Sequence, residues 1–393
     1  MTDPETPAAT PPHTGALRRA APALLGYAAV RVLGLVTLAV WSAANGKSAH
    51  RLLSQRWDSL WYTRVAELGY GYEVRLPNGD VHANLAFFPL LPWLERLGSA
   101  VTPLSYPDAG LLVSAAASIA AAWGIFAVAD HVHGHRAGVC AALVWAVLPV
   151  GIVQSMAYSE SLFTALAAWS LYAVLTGRWL TAGLLAAFAG LTRPVGVAVV
   201  AALWVAAITS FVGERAQGGS TPRTDGAQVW RRALAMIIAP LGAAGYVLWV
   251  GHRTGKGPLG YLDVQAGWRN GFDGGYAFGR FVAEKLTSFP SALAGVGLIV
   301  GVALILWLYV ACVRQGQPPA LLVHTGIVVA LALCASSYFG SKPRLLLPAF
   351  PLLFPLAVAL ARLRTLRSAL ILGGVAVASA AYGAFWLNGS GPP

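Results

Sequence analysis

Apolar runs approaching the width of a bilayer recur along nearly the whole chain, separated by short polar turns and a few longer polar passages. They cover residues 24–44, 111–129, 137–153, 162–175, 180–191, 195–212, 233–250, 293–313, 320–336, 345–361 and 370–386. The pattern predicts about eleven transmembrane helices, and hence an all-α polytopic membrane protein with one integral-membrane domain over residues 18–388. Residues 1–17, rich in Pro and Thr and without periodicity, are expected to form a disordered cytosolic tail, and residues 389–393 a short end. The polar passages at 45–108 and 252–290 read as extracytoplasmic loops, and the basic, Gly-rich passage at 213–232 as a cytosolic one. Pro149 is expected to kink or end its span. Arg31, inside the first span, is expected to snorkel to the near interface. Gly297 and Gly301, four residues apart, predict close helix packing.

With the amino terminus in the cytosol, the turns bearing Arg136, Arg178, Arg314 and Arg362, Arg364 and Arg367 all face inward, as short basic loops do. The same count puts Asp58, the turn at Tyr158–Glu160, Arg193, the 252–290 loop, and Lys342 and Arg344 together on the outer face. Arg193, Lys342 and Arg344 are basic where outward turns avoid basic residues, and an anionic ligand would account for all three. The composition, 57% hydrophobic and 11% charged, excludes an ordinary soluble domain. The net charge of +12 is spread over membrane-flanking loops without a basic stripe or zinc-finger spacing, so membrane lipids rather than nucleic acid are the expected partners. Cys140, Cys312 and Cys334 lie in apolar runs and suggest neither disulfides nor a metal set. His131, His133 and His135 share a short turn without a supporting acid or Cys pair, and no metal is expected there.

Residues 56–92 read RWDSLWYTRVAELGYGYEVRLPNGDVHANLAFFPLLP. Trp and Tyr just outside a span fit an interfacial belt, but a belt does not explain Asp58. A serine hydrolase is disfavoured because the nucleophile elbow is absent. A glycosidase pair would need Asp58 and Glu160 to be assembled by the fold. Transfer of a sugar from a lipid phosphate needs a base for the acceptor hydroxyl, a role for Asp58, and cations for the departing phosphate, roles for Arg193, Lys342 and Arg344. Arg56, Trp57, Tyr62, Asn84, Tyr158 and Glu160 complete the candidate substrate-binding set. Each has a structural alternative. Asp58 could pair with Arg56 or Arg64, and Glu160 could favour a helix N-terminus capped by Ser159. Arg193 could bond loop carbonyls, Lys342 and Arg344 could meet lipid headgroups, and Trp57, Tyr62 and Asn84 could simply pack.

These residues carry a resemblance. WDSLWYTRVAELGY followed by NLAFFPLLP resembles the first luminal loop of the PIG-V family, and the similarity continues in AYSESLF, GLTRPVG and SYFGSKPRLLLPAFPLL, in the family's order. PIG-V proteins are glycosyltransferases of the GT-C fold that in eukaryotes add the second mannose to the GPI anchor precursor. The resemblance implies a GT-C-like bundle with a long first extracytoplasmic loop in the plasma membrane. It implies a polyprenyl-phosphate mannose donor acting as co-substrate, with no cofactor, and a lipid or cell-envelope glycan acceptor. It also implies Asp58 as catalytic base and inversion to an α-mannoside. Trp61 stands where family members often have His, and residues 73–83 lengthen the loop before Asn84. A protein or polymer glycosyltransferase of the same fold is a second reading. A lipid or sugar transporter or flippase is a third, against which stand the lack of a visible repeat and of ionisable residues within spans other than Arg31.

Overall fold

Alanine, leucine and valine fill the apolar runs. In lipid every backbone amide must be satisfied within its own segment, so these runs fold as helices. The computed structural model describes residues 13–216, 226–336, 338–389 and 391. The chain begins with α1 (His13–Ala44), the short α2 (Ala49–Ser54) and α3 (Asp58–Leu68), then a hairpin of β1 (Glu73–Arg75) and β2 (Val81–Ala83). Next come α4 (Leu90–Val101), α5 (Tyr106–His133), α6 (His135–Ala146), α7 (Ser159–Leu175), α8 (Trp179–Gly190), α9 (Val197–Ala216), α10 (Gly226–Ile238) and α11 (Leu241–Thr254). The remainder comprises α12 (Gly260–Gly267), β3 (Gly271–Phe272), α13 (Tyr276–Lys285), α14 (Ser291–Arg314), α15 (Pro319–Cys334), β4 (Ala335–Ser336), α16 (Lys342–Leu345), α17 (Phe354–Arg362) and α18 (Thr365–Asn388).

The protein is a multi-pass membrane helix bundle. Among the described residues six helices are long and apolar enough to cross a bilayer: Gly15–Ala44, Tyr106–His133, Pro194–Glu214, Gly226–Thr254, Ser291–Arg314 and Thr365–Asn388. The pair Phe339–Leu345 and Phe350–Arg362, bent by 79°, makes a seventh if taken as one span. The expected count of about eleven therefore does not stand as a count of full-length crossings. The remaining apolar runs fold as shorter helices, Ser159–Leu175, Trp179–Gly190 and Pro319–Cys334, or break, as residues 137–153 do after Ala146.

Two of the breaks are satisfied by side chains of neighbouring helices and of the turn itself, as an apolar environment requires. Before Pro149, α6 ends and a 3-10 turn, Gly151–Ser155, follows. Arg31 donates to the freed carbonyls of Ala146 and Gly151, so it serves this break rather than snorkelling away. Gln154 Nε2 reaches the Trp145 carbonyl at 2.8 Å and Ser379 Oγ the Leu148 carbonyl at 2.7 Å. At the second break Trp145 Nε1 donates to Leu347 O at 3.0 Å, and His324 Nε2 lies 3.0 Å from Pro348 O. The main core runs through α5 to α9 around Trp145, Phe163 and Leu171, all fully buried. Backbones approach closely there: a Cβ on Gly242 of α11 would fall 1.8 Å from the Ala187 carbonyl of α8.

Two segments and one packing expectation differ from what the sequence suggests. The helix α1 begins at His13, so residues 13–17 of the expected tail are helical, continuous with the Ala- and Leu-rich span that follows; residues 1–12 lie outside the described residues. The expected 213–232 loop is helical at both ends, through Ala216 and from Gly226, and Arg232 grips the Glu214 carboxylate at 2.6 and 2.9 Å; residues 217–225 lie outside the described residues. Gly297 and Gly301 have no neighbour within 4 Å of a built Cβ, so they form no packing seam within the described chain.

The all-α bundle carries two small antiparallel ribbons. In the first, Glu73 pairs with Ala83 and Arg75 with Val81; in the second, Gly271 pairs with Ser336 and Phe272 with Ala335. The second ribbon ties the 252–290 passage to the end of α15. The same passage is fastened to the first loop by Trp268 Nε1 to Ala83 O at 3.0 Å and Arg269 Nε to Asp80 Oδ2 at 2.6 Å. Tyr246 OH donates to Leu85 O at 2.9 Å. Both long polar passages thus form one cap at one end of the bundle. Elsewhere Arg19 holds Asp130 through two 2.9 Å contacts and Arg136 bonds the Leu363 carbonyl, which gathers the basic turns.

Candidate active site

Asp58 is the first residue of α3, and the backbone before it is unusual. Trp57 has φ 51° and ψ −122°, a left-handed conformation that a bulky side chain adopts only when its surroundings enforce it. The enforcement is visible. Ser59 Oγ accepts from Arg56 N at 3.0 Å and donates to Arg56 O at 2.6 Å, while the Arg56 guanidinium lies 4.0 Å from the centre of the Trp57 ring. This corner turns the Asp58 carboxylate toward the start of α7.

There it meets Arg344, whose Nη1 is 2.6 Å from Asp58 Oδ2 and 3.3 Å from Glu160 Oε1. Glu160 is also 2.7 Å from Arg193 Nη1. Two carboxylates and two guanidiniums therefore alternate in one neutral chain. Ser159 is the neutral hub beside it, with its Oγ 2.7 Å from Tyr62 OH and 3.2 Å from Arg193 Nη1. The Tyr158 ring lies under Arg344 at 5.0 Å. The Asp58 side chain is 24% exposed and that of Glu160 only 1%, so Asp58 alone of the two acids can meet a substrate without rearrangement. Burial pushes the Tyr62 hydroxyl well above its ordinary range. Burial alone would lower the Arg193 value, but the charge and hydrogen bond of Glu160 together with Tyr62 hold the guanidinium above its usual value. The buried Nε and Nη1 of Arg344 have no aligned hydrogen-bond acceptor, which leaves donor capacity for an anion.

The fold thus gathers Asp58, Tyr62, Tyr158, Glu160, Arg193 and Arg344 and holds the other candidates elsewhere. Arg56 donates to the Leu387 carbonyl at 3.1 Å and the Gly389 carbonyl at 3.4 Å, pinning the end of α18. Trp57 serves the corner before α3. Asn84, fully buried, clamps its own loop by accepting from Gly71 N at 3.0 Å and donating to Gly69 O at 2.9 Å. Lys342 is buried with its ammonium on the Ala332 and Ala335 carbonyls at 2.7 and 2.8 Å, where it caps α15. The two outward cations near Pro343 therefore divide: Arg344 faces the acids and Lys342 faces backbone. Ser159 is not the expected helix cap: Tyr158 occupies the N-cap position, and Ser159 accepts from Arg193. No group of three or more His, Cys, Asp or Glu residues arranged to hold a metal occurs among the described residues.

A sequence profile of the family described as dolichyl-phosphate-mannose-protein mannosyltransferase matches residues 82–222, a stretch containing Asn84, Tyr158, Glu160 and Arg193. The GPI alpha-1,6-mannosyltransferase 2 of Rattus norvegicus is 33% identical over 158 residues, which are 37% of this chain and 30% of that protein. The Mus musculus protein of the same name is 33% identical over 155 residues, 36% of this chain and 29% of that protein. The matched region thus spans less than a third of either curated relative. Among solved structures, ArnT from Cupriavidus metallidurans bound to undecaprenyl phosphate superposes with a TM-score of 0.51 at 15% identity, covering 96% of this chain and 76% of that one. The archaeal oligosaccharyltransferase AglB from Archaeoglobus fulgidus, in complex with an inhibitory peptide and a dolichol-phosphate, gives 0.50 at 14% identity over 93% of this chain and 56% of that one. The chain has the GT-C fold of these membrane glycosyltransferases. Over the matched stretch it is similar to the two rodent GPI mannosyltransferases, in keeping with the loop motifs.

Proposed function

We propose that this protein is a membrane glycosyltransferase that moves a mannosyl residue from a polyprenyl-phosphate donor to a lipid or cell-envelope glycan, at the outer face of the plasma membrane. The observation that carries the reading is the buried alternation Asp58–Arg344–Glu160–Arg193 at the capped end of the bundle. A donor phosphate competes with the two carboxylates for the arginines. Its arrival on Arg344 releases Asp58, the exposed acid, to take the proton of an acceptor hydroxyl. That oxygen bonds to the sugar's anomeric carbon from the side opposite the phosphate, the anomeric carbon–oxygen bond breaks, and the electron pair leaves on the phosphate, stabilised by the guanidiniums. Attack from the opposite side inverts the centre. Glu160, closed from solvent, holds both arginines in register.

The names of the similar proteins support the donor class: ArnT was solved with undecaprenyl phosphate, AglB with a dolichol-phosphate, and the rodent relatives are mannosyltransferases. A protein acceptor is the second reading, favoured by the family description over residues 82–222 and by the peptide in AglB. A transporter is disfavoured because these charges lie under a cap at one end of the bundle. The test is to give membranes containing the protein labelled polyprenyl-phosphate mannose and to follow the label. Label in a lipid or glycan is the expected result. Label in protein supports the second reading, and no release of polyprenyl phosphate refutes transfer altogether.

A further inference from the structure

Beside the charged cluster, on the side away from the bundle, rings from three chain segments converge. Trp61 of α3 stacks on Phe87 with centroids 5.7 Å apart and planes 5° from parallel. Trp268, from the end of α12, stands edge-on to both, at 4.8 Å from Trp61 and 5.4 Å from Phe87. Tyr72 closes one flank at 5.7 Å from Trp61, and His82 stacks on Trp268 at 4.0 Å. All five are half-buried.

Packing alone does not account for their exposure. Phe88, Tyr246 and Tyr261, each less than a twentieth exposed, form the sealed part of the weld between the two loops, and Trp268 joins it through its N–H on the Ala83 carbonyl while its ring stays half-buried. The Trp61 indole N–H bonds to no partner among the described residues, so the bay offers apolar ring faces together with a free donor. Such a pairing matches a pyranose, which has an apolar C–H face and a rim of hydroxyls. The bay is continuous with the acid cluster. Tyr62 touches Phe87 at 5.2 Å while its hydroxyl meets Ser159, and Trp61 lies three residues from Asp58 on one helix, which puts both on one side of α3.

We propose that this bay is the acceptor subsite: it takes a pyranose ring of a glycan against Trp61 and Trp268 and presents a hydroxyl to Asp58. The inference rests on the transfer reading above and names which substrate goes where. A lipid-phosphate donor must keep its chain in the bilayer and its phosphate on the buried arginines. The bay is built from the two polar passages of the cap, so it admits the partner that arrives from outside the bundle.

The test uses the whole protein in lipid nanodiscs with mannobiose as the probe, read by saturation-transfer NMR. Wild type should saturate the ring protons of mannobiose. Trp268→Ala should weaken binding by about threefold to tenfold, and Trp268→Tyr should stay within about twofold of wild type. Trp41→Ala, at the outer end of α1, serves as the control for a general aromatic effect. Thermal unfolding is recorded for each variant, and if Trp268→Ala has lost its transition, Trp61→Leu is read in its place against the same thresholds. No saturation in wild type, or equal binding by Trp268→Ala and wild type, overturns the subsite. Donor consumption is scored separately. Mannobiose binding that depends on Trp268 in a protein that consumes no polyprenyl-phosphate sugar refutes transfer and leaves the subsite standing, whereas donor consumption with Trp268-independent binding does the reverse.

Discussion

Asp58→Asn and Glu160→Gln each delete one carboxylate from the same charged chain, yet their effects should separate. Glu160 is 1% exposed and touches both guanidiniums, Arg193 at 2.7 Å and Arg344 at 3.3 Å. Its loss leaves two buried like charges, with Asp58 on Arg344 alone and Arg193 deprived of its acid. Removing one partner from a buried ion pair destabilises by about 3–5 kcal/mol. Asp58 is 24% exposed, and Arg344 keeps Glu160 when Asp58 is neutralised, so the loss there should be about 1 kcal/mol or less. Turnover should show the opposite order. Without its base, Asp58→Asn should lose about two to four orders of magnitude per folded molecule, whereas any Glu160→Gln protein that folds should retain more. The assay pairs thermal unfolding in detergent with release of polyprenyl phosphate, normalised to folded protein. An Asp58→Asn variant as destabilised as Glu160→Gln, with normal turnover per folded molecule, would refute the assignment of chemistry to one acid and scaffolding to the other.

Lys342→Met should lower stability by roughly 2 kcal/mol, through loss of two charge-assisted bonds to the end of α15, while donor KM stays within about twofold; a large rise in KM would return Lys342 to the phosphate site. Arg344→Lys should reduce turnover by about tenfold or more, because one ammonium cannot both stand where Nη1 meets Asp58 and Glu160 and supply the guanidinium's remaining donors to a phosphate; full activity would show that charge alone suffices. Glu95 of α4 is fully buried with neither carboxylate oxygen hydrogen-bonded, and burial pushes its carboxyl well above the usual range. The folded protein therefore holds this proton more tightly than the unfolded chain. Stability should fall as pH rises past about 4.3, by up to about 1.4 kcal/mol per unit until the folded-state value is reached. Glu95→Gln should flatten that slope, and an unchanged profile would count against a buried neutral acid. Cysteines placed by Asn78→Cys and Gly274→Cys should react with an impermeant maleimide from the same side of the membrane, and labelling from opposite sides would break the shared cap.

Much of this was legible before folding. The apolar runs located the helical segments, because lipid demands internal hydrogen bonding and periodicity adds little to that demand. Arg193 and Arg344 stood out because basic outward turns conflict with the usual charge bias, and both meet Glu160. Lys342 carried the same signal and went elsewhere, since composition cannot distinguish a cation that meets an acid from one that caps a helix. Full-length crossings were overcounted because hydropathy registers an apolar run whether its helix is whole or interrupted, and Ala146 and Leu347 sit at interruptions that distant side chains repair. Ser159 carried only a helix-capping signal and Trp268 none. Their partners are 34 to 185 residues away, and only tertiary closure makes them neighbours.

The alternating chain of two carboxylates and two guanidiniums has a further consequence for the proposed reaction. A phosphodiester donor enters with one negative charge, and the phosphate that leaves approaches two. The extra charge appears as the acceptor's proton neutralises Asp58, so the total within the enclosure is the same before and after transfer. Such a site has no electrostatic gradient of its own to expel the product. Turnover then depends on Asp58 passing its proton to water, after which the restored carboxylate competes with the spent phosphate for Arg344. The 24% exposure of Asp58 would make it the outlet through which the site resets.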